Sequence, residues 1–224
     1  MKIILSLLLF AMPAFFETDQ TSVPVAKEPS HHLKLENSCV RVYDVVVPPG
    51  KETLMHVHAE DYFFVNFGEA TLKNQADGQP EQDLNLKDGE VRYTPATLTH
   101  RIRNVGKTPF HNLTVELLQP PAPSPKPLPL LGKNQAIVLE NDRIRAIQTM
   151  LQPGETTGLH SHPRQTLTIM VDKGSIRIES PGEGPQKYRY AVKPGEFIWN
   201  DAPLAHSLKN LGKTPVRVVE VEVK

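Results

Sequence analysis

No disulfide can form within this chain, because Cys39 is its only cysteine, so the fold must be held by packing and by whatever its polar side chains bind. An excess of charge is missing too. The 25 basic side chains are matched by 25 acidic ones and no Lys/Arg cluster stands out, which removes the electrostatic footprint of a nucleic-acid partner. Nor is there an apolar run of the roughly 20 residues that a membrane-spanning helix needs. The longest begins at Ile3 and ends near Phe16, interrupted by Ser6 and Pro13, with Lys2 before it and Glu17 after it. That is the shape of a signal peptide. Residues 1–17 are therefore expected to direct export to the periplasm or the medium, leaving no stable membrane span after cleavage. No stretch of helical periodicity is long enough to compete with the strand pattern either.

What is present is a duplication. His31-His-Leu-Lys-Leu-Glu36-Asn37 aligns with Gln135-Ala-Ile-Val-Leu-Glu140-Asn141, Pro49-Gly50 with Pro153-Gly154, and RNVGKTP from Arg103 with KNLGKTP from Lys209. Self-similarity on this scale means tandem structural units. Between the copies, QPPAPSPKPLPL has proline at nearly every second position, which fits neither a central strand nor a helix. The expected organisation is a leader at 18–30, one domain at 31–119, a Pro-rich linker at 120–133 and a second domain at 134–224. Apolar residues alternate in VRVYDVVV, DLNLKDGEVRY and VRVVEVEV, and turn signals such as Pro-Gly and Asp-Gly recur at short intervals. This predicts an all-β chain of two tandem antiparallel β-barrels packed on one another.

The chemistry lies in histidines. GKETLMHVH from Gly50 and GETTGLHSH from Gly154 each carry His-x-His. In a strand, residues two apart share a face, so His56 and His58, and likewise His160 and His162, present paired imidazoles. His100 and His206, at matching positions downstream, are the candidate third ligands. His31 and His32 lie at the start of a strand and are read as surface residues.

These residues resemble the two motifs of the cupin superfamily, and the duplication resembles a bicupin of the jelly-roll type. The first motif, G-x5-H-x-H-x3/4-E-x6-G, is matched by Gly50, His56 and His58, and by Gly154, His160, His162 and Gly174. The second, G-x5-P-x-G-x2-H-x3-N, is matched by Gly89, Pro95, His100 and Asn104, and by Gly195, His206 and Asn210. The motif glutamate is missing from both copies, where Tyr62-Phe63 and Thr166-Leu167 stand instead. Asp61 is the nearest carboxylate that could replace it. The resemblance implies a divalent transition metal held by three neutral imidazoles in each copy, Fe(II) or Zn first and Ni or Cu after them. Three-histidine cupins such as cysteine dioxygenase and acetylacetone dioxygenase suggest oxygenase chemistry on a small anionic or enolisable substrate.

Alignment with the family places Phe63, Val65 and Phe67 in the first interior and Leu167, Ile169 and Val171 in the second, with Asp61, Tyr62, Tyr93 and Arg103 near the first mouth. No catalytic residue is assigned. The two function classes that follow are an exported metal-dependent oxygenase and a non-catalytic cupin that binds or senses a small molecule, and the alternating strands leave room for a homodimer.

Overall fold

The structure, a computed structural model, describes residues 21–120, 131–181 and 188–224. The expected signal segment and most of the Pro-rich linker lie outside them. The described chain is almost entirely β. Its first half contains β1 (Val23–Pro24), β2 (His31–Glu36), β3 (Val40–Val47), β4 (His56–His58), β5 (Tyr62–Phe67), β6 (Ala70–Ala76), β7 (Gln82–Leu86), β8 (Val91–Thr94), β9 (Leu98–Asn104) and β10 (Phe110–Leu117). The second half contains β11 (Gln135–Glu140), β12 (Ile144–Leu151), β13 (His160–His162), β14 (Thr166–Met170), β15 (Gly174–Glu179), β16 (Tyr188–Val192), β17 (Phe197–Asn200), β18 (Leu204–Asn210) and β19 (Val216–Val223).

Each half is a jelly-roll barrel of two sheets. In barrel 1 the sheets run β1-β4-β9-β6-β7 and β2-β3-β10-β5-β8; in barrel 2 they run β13-β18-β15-β16 and β11-β12-β19-β14-β17. Part of the expected leader belongs to this architecture. Val23 and Pro24 pair in parallel with His56 and Val57, and Val25 is buried in the core of barrel 1.

Alternation in the central strands serves two cores at once. From β3, Tyr43, Val45 and Val47 face the interior of barrel 1, while Val40 and Val42 face barrel 2. The second face forms a core shared by both barrels, built from β3, β5 and β10 on one side and β12, β14 and β19 on the other. Strands buried on both faces read as nearly continuous apolar runs, as VRVYDVVV and VRVVEVEV do.

The two barrels meet with matching parts. A Cβ on Gly89 would lie 3.1 Å from Arg217 and 3.2 Å from Val171, and one on Gly195 would lie 3.2 Å from His111 and 3.4 Å from Phe67. His111 and Phe67 are the repeat counterparts of Arg217 and Val171, so the interface has pseudo-twofold symmetry. Both glycines also have positive φ, +76° and +86°, which L side chains rarely adopt. Ion pairs close the interface: Arg217 reaches Asp88 across it, and Arg143 Nε lies 2.7 Å from Asp61. Among the described residues, no helix is long and apolar enough to cross a membrane.

Candidate metal centres

The register of two strands assembles each histidine trio. In barrel 1, β4 pairs antiparallel with β9 so that His56 stands opposite His100; in barrel 2, β13 pairs with β18 so that His160 stands opposite His206. Residues two apart on β4 and β13 add His58 and His162 on the same face. The trios nearly superimpose. His56 to His58, His56 to His100 and His58 to His100 are 5.1, 4.6 and 5.4 Å between ring centroids, and the counterparts in barrel 2 are 5.1, 4.6 and 5.3 Å.

In barrel 1, groups behind the rings hold the Nδ1 sides. His56 Nδ1–H donates to the Leu54 carbonyl at 2.8 Å, and His100 Nδ1–H to Asn74 Oδ1 at 3.0 Å. His58 Nδ1 lies 3.6 Å from the buried carboxylate of Glu116. An Nδ1–H tautomer leaves the lone pair on Nε2, which is how acceptors behind the ring prepare an imidazole for a metal. The Nε2 atoms of His56 and His100 are buried and have no hydrogen-bond partner. A buried nitrogen left unpartnered is costly, and a metal ion would satisfy it. Burial also keeps the rings neutral. It pushes His56 down to about 4, with His31 and His58 adding repulsion; it pushes His100 down to about 2; and it lowers His58 against the opposing pull of Glu116. Neutral imidazoles are the form that ligates metal.

The trio faces a cavity of about 240 Å³, walled by Tyr62, Phe64, Arg92, Thr94, Asn112 and Thr114 among others. Tyr62 stacks on His58, with centroids 4.1 Å apart and planes 23° from parallel, and burial raises its hydroxyl above the ordinary value.

A fourth histidine joins this group. His31 was expected at the surface, yet its side chain is only 5% exposed, because β2 pairs with β3 so that His31 lies opposite the inward-facing Val45. A bulge between Leu33 and Leu35 then turns the rest of β2 over, so that Leu35 packs on the core between the barrels. The His31 ring is 4.8 Å from that of His56 and 5.9 Å from that of His58. One ligand nitrogen from each of His31, His56 and His58 lies within 4.8 Å of the others.

Barrel 2 differs in kind. Sequence reasoning found no carboxylate at the motif position, but Glu220 of β19 supplies one from the opposite sheet. Its Oε2 lies 3.3 Å from His160 Nε2, and its Oε1 lies 3.4 Å from His162 Nε2 and 2.9 Å from His206 Nε2. Donors sharing an ion through bonds of about 2.0–2.2 Å sit roughly 3.0–3.5 Å apart, so the set fits a metal. Glu220 Oε1, His162 Nε2 and His206 Nε2 are near one another without hydrogen-bond alignment, as atoms aimed at one central point would be. Glu220 is fully buried, which alone would raise its carboxyl, but His160, His162 and His206 outweigh burial and hold it well below the ordinary range. Burial likewise pulls His162 down, and Glu220 with Glu222 overcomes this and lifts it to about 9. The signal was in VRVVEVEV: Glu220 and Glu222 share parity with the inward-facing Val216 and Val218.

Several other expected residues lie elsewhere. Phe63, Val65 and Phe67, and Leu167, Ile169 and Val171, all sit in the core between the barrels rather than inside either one. The family alignment put these residues one position out: the inward positions keep the parity of His56 and His58, although the chain crosses from one sheet to the other between His58 and Tyr62. Tyr62 and Phe64 line the cavity of barrel 1, and Thr166 and Thr168 are their counterparts in barrel 2. Asp61 cannot serve as the replacement ligand, because it accepts from the Ala96 N–H at 2.8 Å and pairs with Arg143 of barrel 2. Tyr93 packs against the inter-barrel core and bonds Asp61. Arg103 is held by Glu81 at 2.8 Å, outside the cavity lining.

The sequence profile of the family described as Cupin domain matches residues 43–116 and again 148–222. No curated protein matches the chain significantly. Among solved structures, AerE from Microcystis aeruginosa superimposes with a TM-score of 0.63 at 11% identity, over 88% of this chain and 98% of that one. Oxalate decarboxylase from Lactobacillus farciminis, solved as a formate complex, gives 0.61 at 14% identity over 88% of this chain and 84% of its own. An oxalate decarboxylase from Bacillus subtilis, as the S161A mutant, gives 0.59 at 14% identity over 93% and 79%. At these identities the likeness concerns the fold alone. With two profile matches that together span most of the chain, and the histidine trios in the place the fold provides, the chain belongs to the cupin-domain family and carries the domain twice.

Proposed function

We propose that this chain is an exported, metal-dependent bicupin in which barrel 1 is the working centre and barrel 2 a closed metal site. The observation that carries this is the pair of buried, unpartnered Nε2 atoms of His56 and His100 beside an open cavity of about 240 Å³. The cavity is lined by Tyr62, Phe64, Leu98 and Phe110, and among the described residues Arg92 is its one cationic side chain and no carboxylate stands in its wall. A bound Fe(II), Zn, Ni or Cu ion would supply Lewis acidity and, for iron or copper, redox chemistry with dioxygen. Neutral imidazoles leave the charge of such an ion uncompensated, so the cavity suits a small anionic or enolisable molecule with an apolar body. Tyr62 would meet its flat face, and Arg92, whose Nε pairs with Glu90 Oε1 at 2.6 Å, would offer its charge only through the outer guanidinium nitrogens. Of the reactions open to such a site, the reading favoured is a dioxygenase. Export is supported by Lys2 and the apolar run that follows it.

Elemental analysis of protein expressed in metal-replete medium should find close to one ion per barrel, and His56→Ala with His58→Ala should remove the ion of barrel 1. Finding no metal in the wild type would end this reading. Oxygen consumption screened against small thiols, diketones and phenolic acids then tests the reaction class.

One observation favours a second reading. Among the described residues the cavity wall has no carboxylate to form an acid-base pair, as befits a site that binds or senses its ligand. Tight binding of one of these compounds with no consumption of ligand or oxygen would support it, and turnover would sink it.

A further inference from the structure

We infer that His31 is a fourth metal ligand in barrel 1, so that this centre is built from imidazoles alone while the centre in barrel 2 is built from three imidazoles and a carboxylate. The inference rests on the proposal that barrel 1 binds metal, and it concerns which residues hold the ion.

Two positions next to each trio decide the difference. One lies at the start of the strand that opens each repeat: His31 in barrel 1, Gln135 in barrel 2. The other lies on the last strand: Thr114 in barrel 1, Glu220 in barrel 2. Each barrel therefore has a strong donor at one of these positions and a neutral, weakly ligating side chain at the other. The positions are neighbours in space. In barrel 2, Gln135 Nε2 lies 3.2 Å from His160 Nε2 and 3.3 Å from Glu220 Oε2, so the residue in place of His31 does reach the donor cluster. In barrel 1 the imidazole reaches the same place, where its nitrogen lies within 4.8 Å of those of His56 and His58.

The tautomer of His31 is prepared in the way a ligand's is. Its Nδ1–H donates to Glu28 Oε2 at 2.6 Å, which leaves the Nε2 lone pair free. Glu28 is itself buried and fixed by the Ser30 N–H at 2.8 Å and the Leu54 N–H at 3.2 Å. Leu54 also takes the Nδ1–H of His56 on its carbonyl. The backbone just before β4 thus orients two of the four rings, one directly and one through Glu28. A solvent-facing histidine would need none of this.

The exchange changes the charge around the ion and so its preference. Four neutral nitrogens suit Cu(II), Ni(II) and Zn(II), whereas a carboxylate among the donors accommodates harder ions.

Co(II) absorption provides the test on the full chain. Subtracting the spectrum of the His56→Ala, His58→Ala double variant from that of the wild type isolates barrel 1. In His31→Gln, which places in barrel 1 the residue that barrel 2 carries, this difference band should shift, and Co(II) competed against a chelator should bind roughly 10–100-fold more weakly. Glu28→Gln, which keeps an acceptor oxygen and removes the charge, should shift the band with about a tenfold loss. His32→Gln, an exposed neighbour, should change neither. Circular dichroism of the metal-free variants separates lost ligation from lost folding. A His31→Gln protein with the wild-type band and affinity would overturn the inference and leave a three-histidine centre in place, as would an equal loss in His32→Gln. If instead the double variant holds as much Co(II) as the wild type, barrel 1 binds none and the proposed function falls with it.

Discussion

Glu220 shows how one side chain can define a centre. A buried carboxylate is tolerated only when its lone pairs are matched, and here three imidazoles surround it. Glu220→Gln removes the negative charge that faces His160, His162 and His206 and leaves one acceptor oxygen where there were two. In the metal-free protein it should cost about 1–3 kcal/mol, read from urea melts, and in the loaded protein it should release the ion of barrel 2 while leaving that of barrel 1. Unchanged metal content would mean that Glu220 is only a packing group. The residue also marks a limit of reading by motif. The missing glutamate after His162 was legible in the sequence, but its replacement sits 58 positions away on the last strand, at a position numbered 220 against 162. Only the closing of the sandwich brings the two together.

Strands carry their information as parity, and a bulge within a strand reverses it. Along β3, β10 and β19 the alternation separates an inward set from an inter-barrel set without error. Between His58 and Tyr62 the chain leaves one sheet for the other, yet the inward positions stay even-numbered, from His56 and His58 to Tyr62 and Phe64. Phe63 and Phe64 make the difference measurable. Phe63 is fully buried in the shared core, so Phe63→Ala should cost about 3–5 kcal/mol. Phe64 is half-buried on the cavity wall, so Phe64→Ala should cost roughly 1–2 kcal/mol and act mainly on ligand binding. Equal losses in chemical denaturation would argue against the assignment of faces. The bulge in β2 has the same lesson: His31 points inward and Leu35 toward the second barrel although both have odd numbers, because the extra residue between them reverses the face.

At the scale of the whole molecule, the barrels share one apolar core and are fastened at its rim by Asp61 with Arg143 and by Asp88 with Arg217. Partial burial would raise the Asp61 carboxyl, but the Ala96 N–H, the Tyr93 hydroxyl and Arg143 outweigh it and hold it below its ordinary 3.8. A carboxyl depressed in the folded state adds stability that is fully present above its ordinary value and disappears as pH falls through the folded value. The acid limb of the stability curve should therefore steepen below about pH 4, and Asp61→Asn should flatten it. An Asp61→Asn curve parallel to the wild type down to pH 2 would show that the clamp contributes nothing.

The sequence by itself determined the duplication, the all-β class and the two His-x-His pairs, because each depends on local spacing: residues two apart on a strand share a face wherever that strand goes. It also placed His100 and His206, since the repeat marked both at once. What only the tertiary structure decided is which side chain stands beside each trio, His31 from β2 of one barrel and Glu220 from the last strand of the other. These are set by which strands lie side by side and in what register, and hydrogen bonding between strands far apart in the chain leaves no period in the sequence to read.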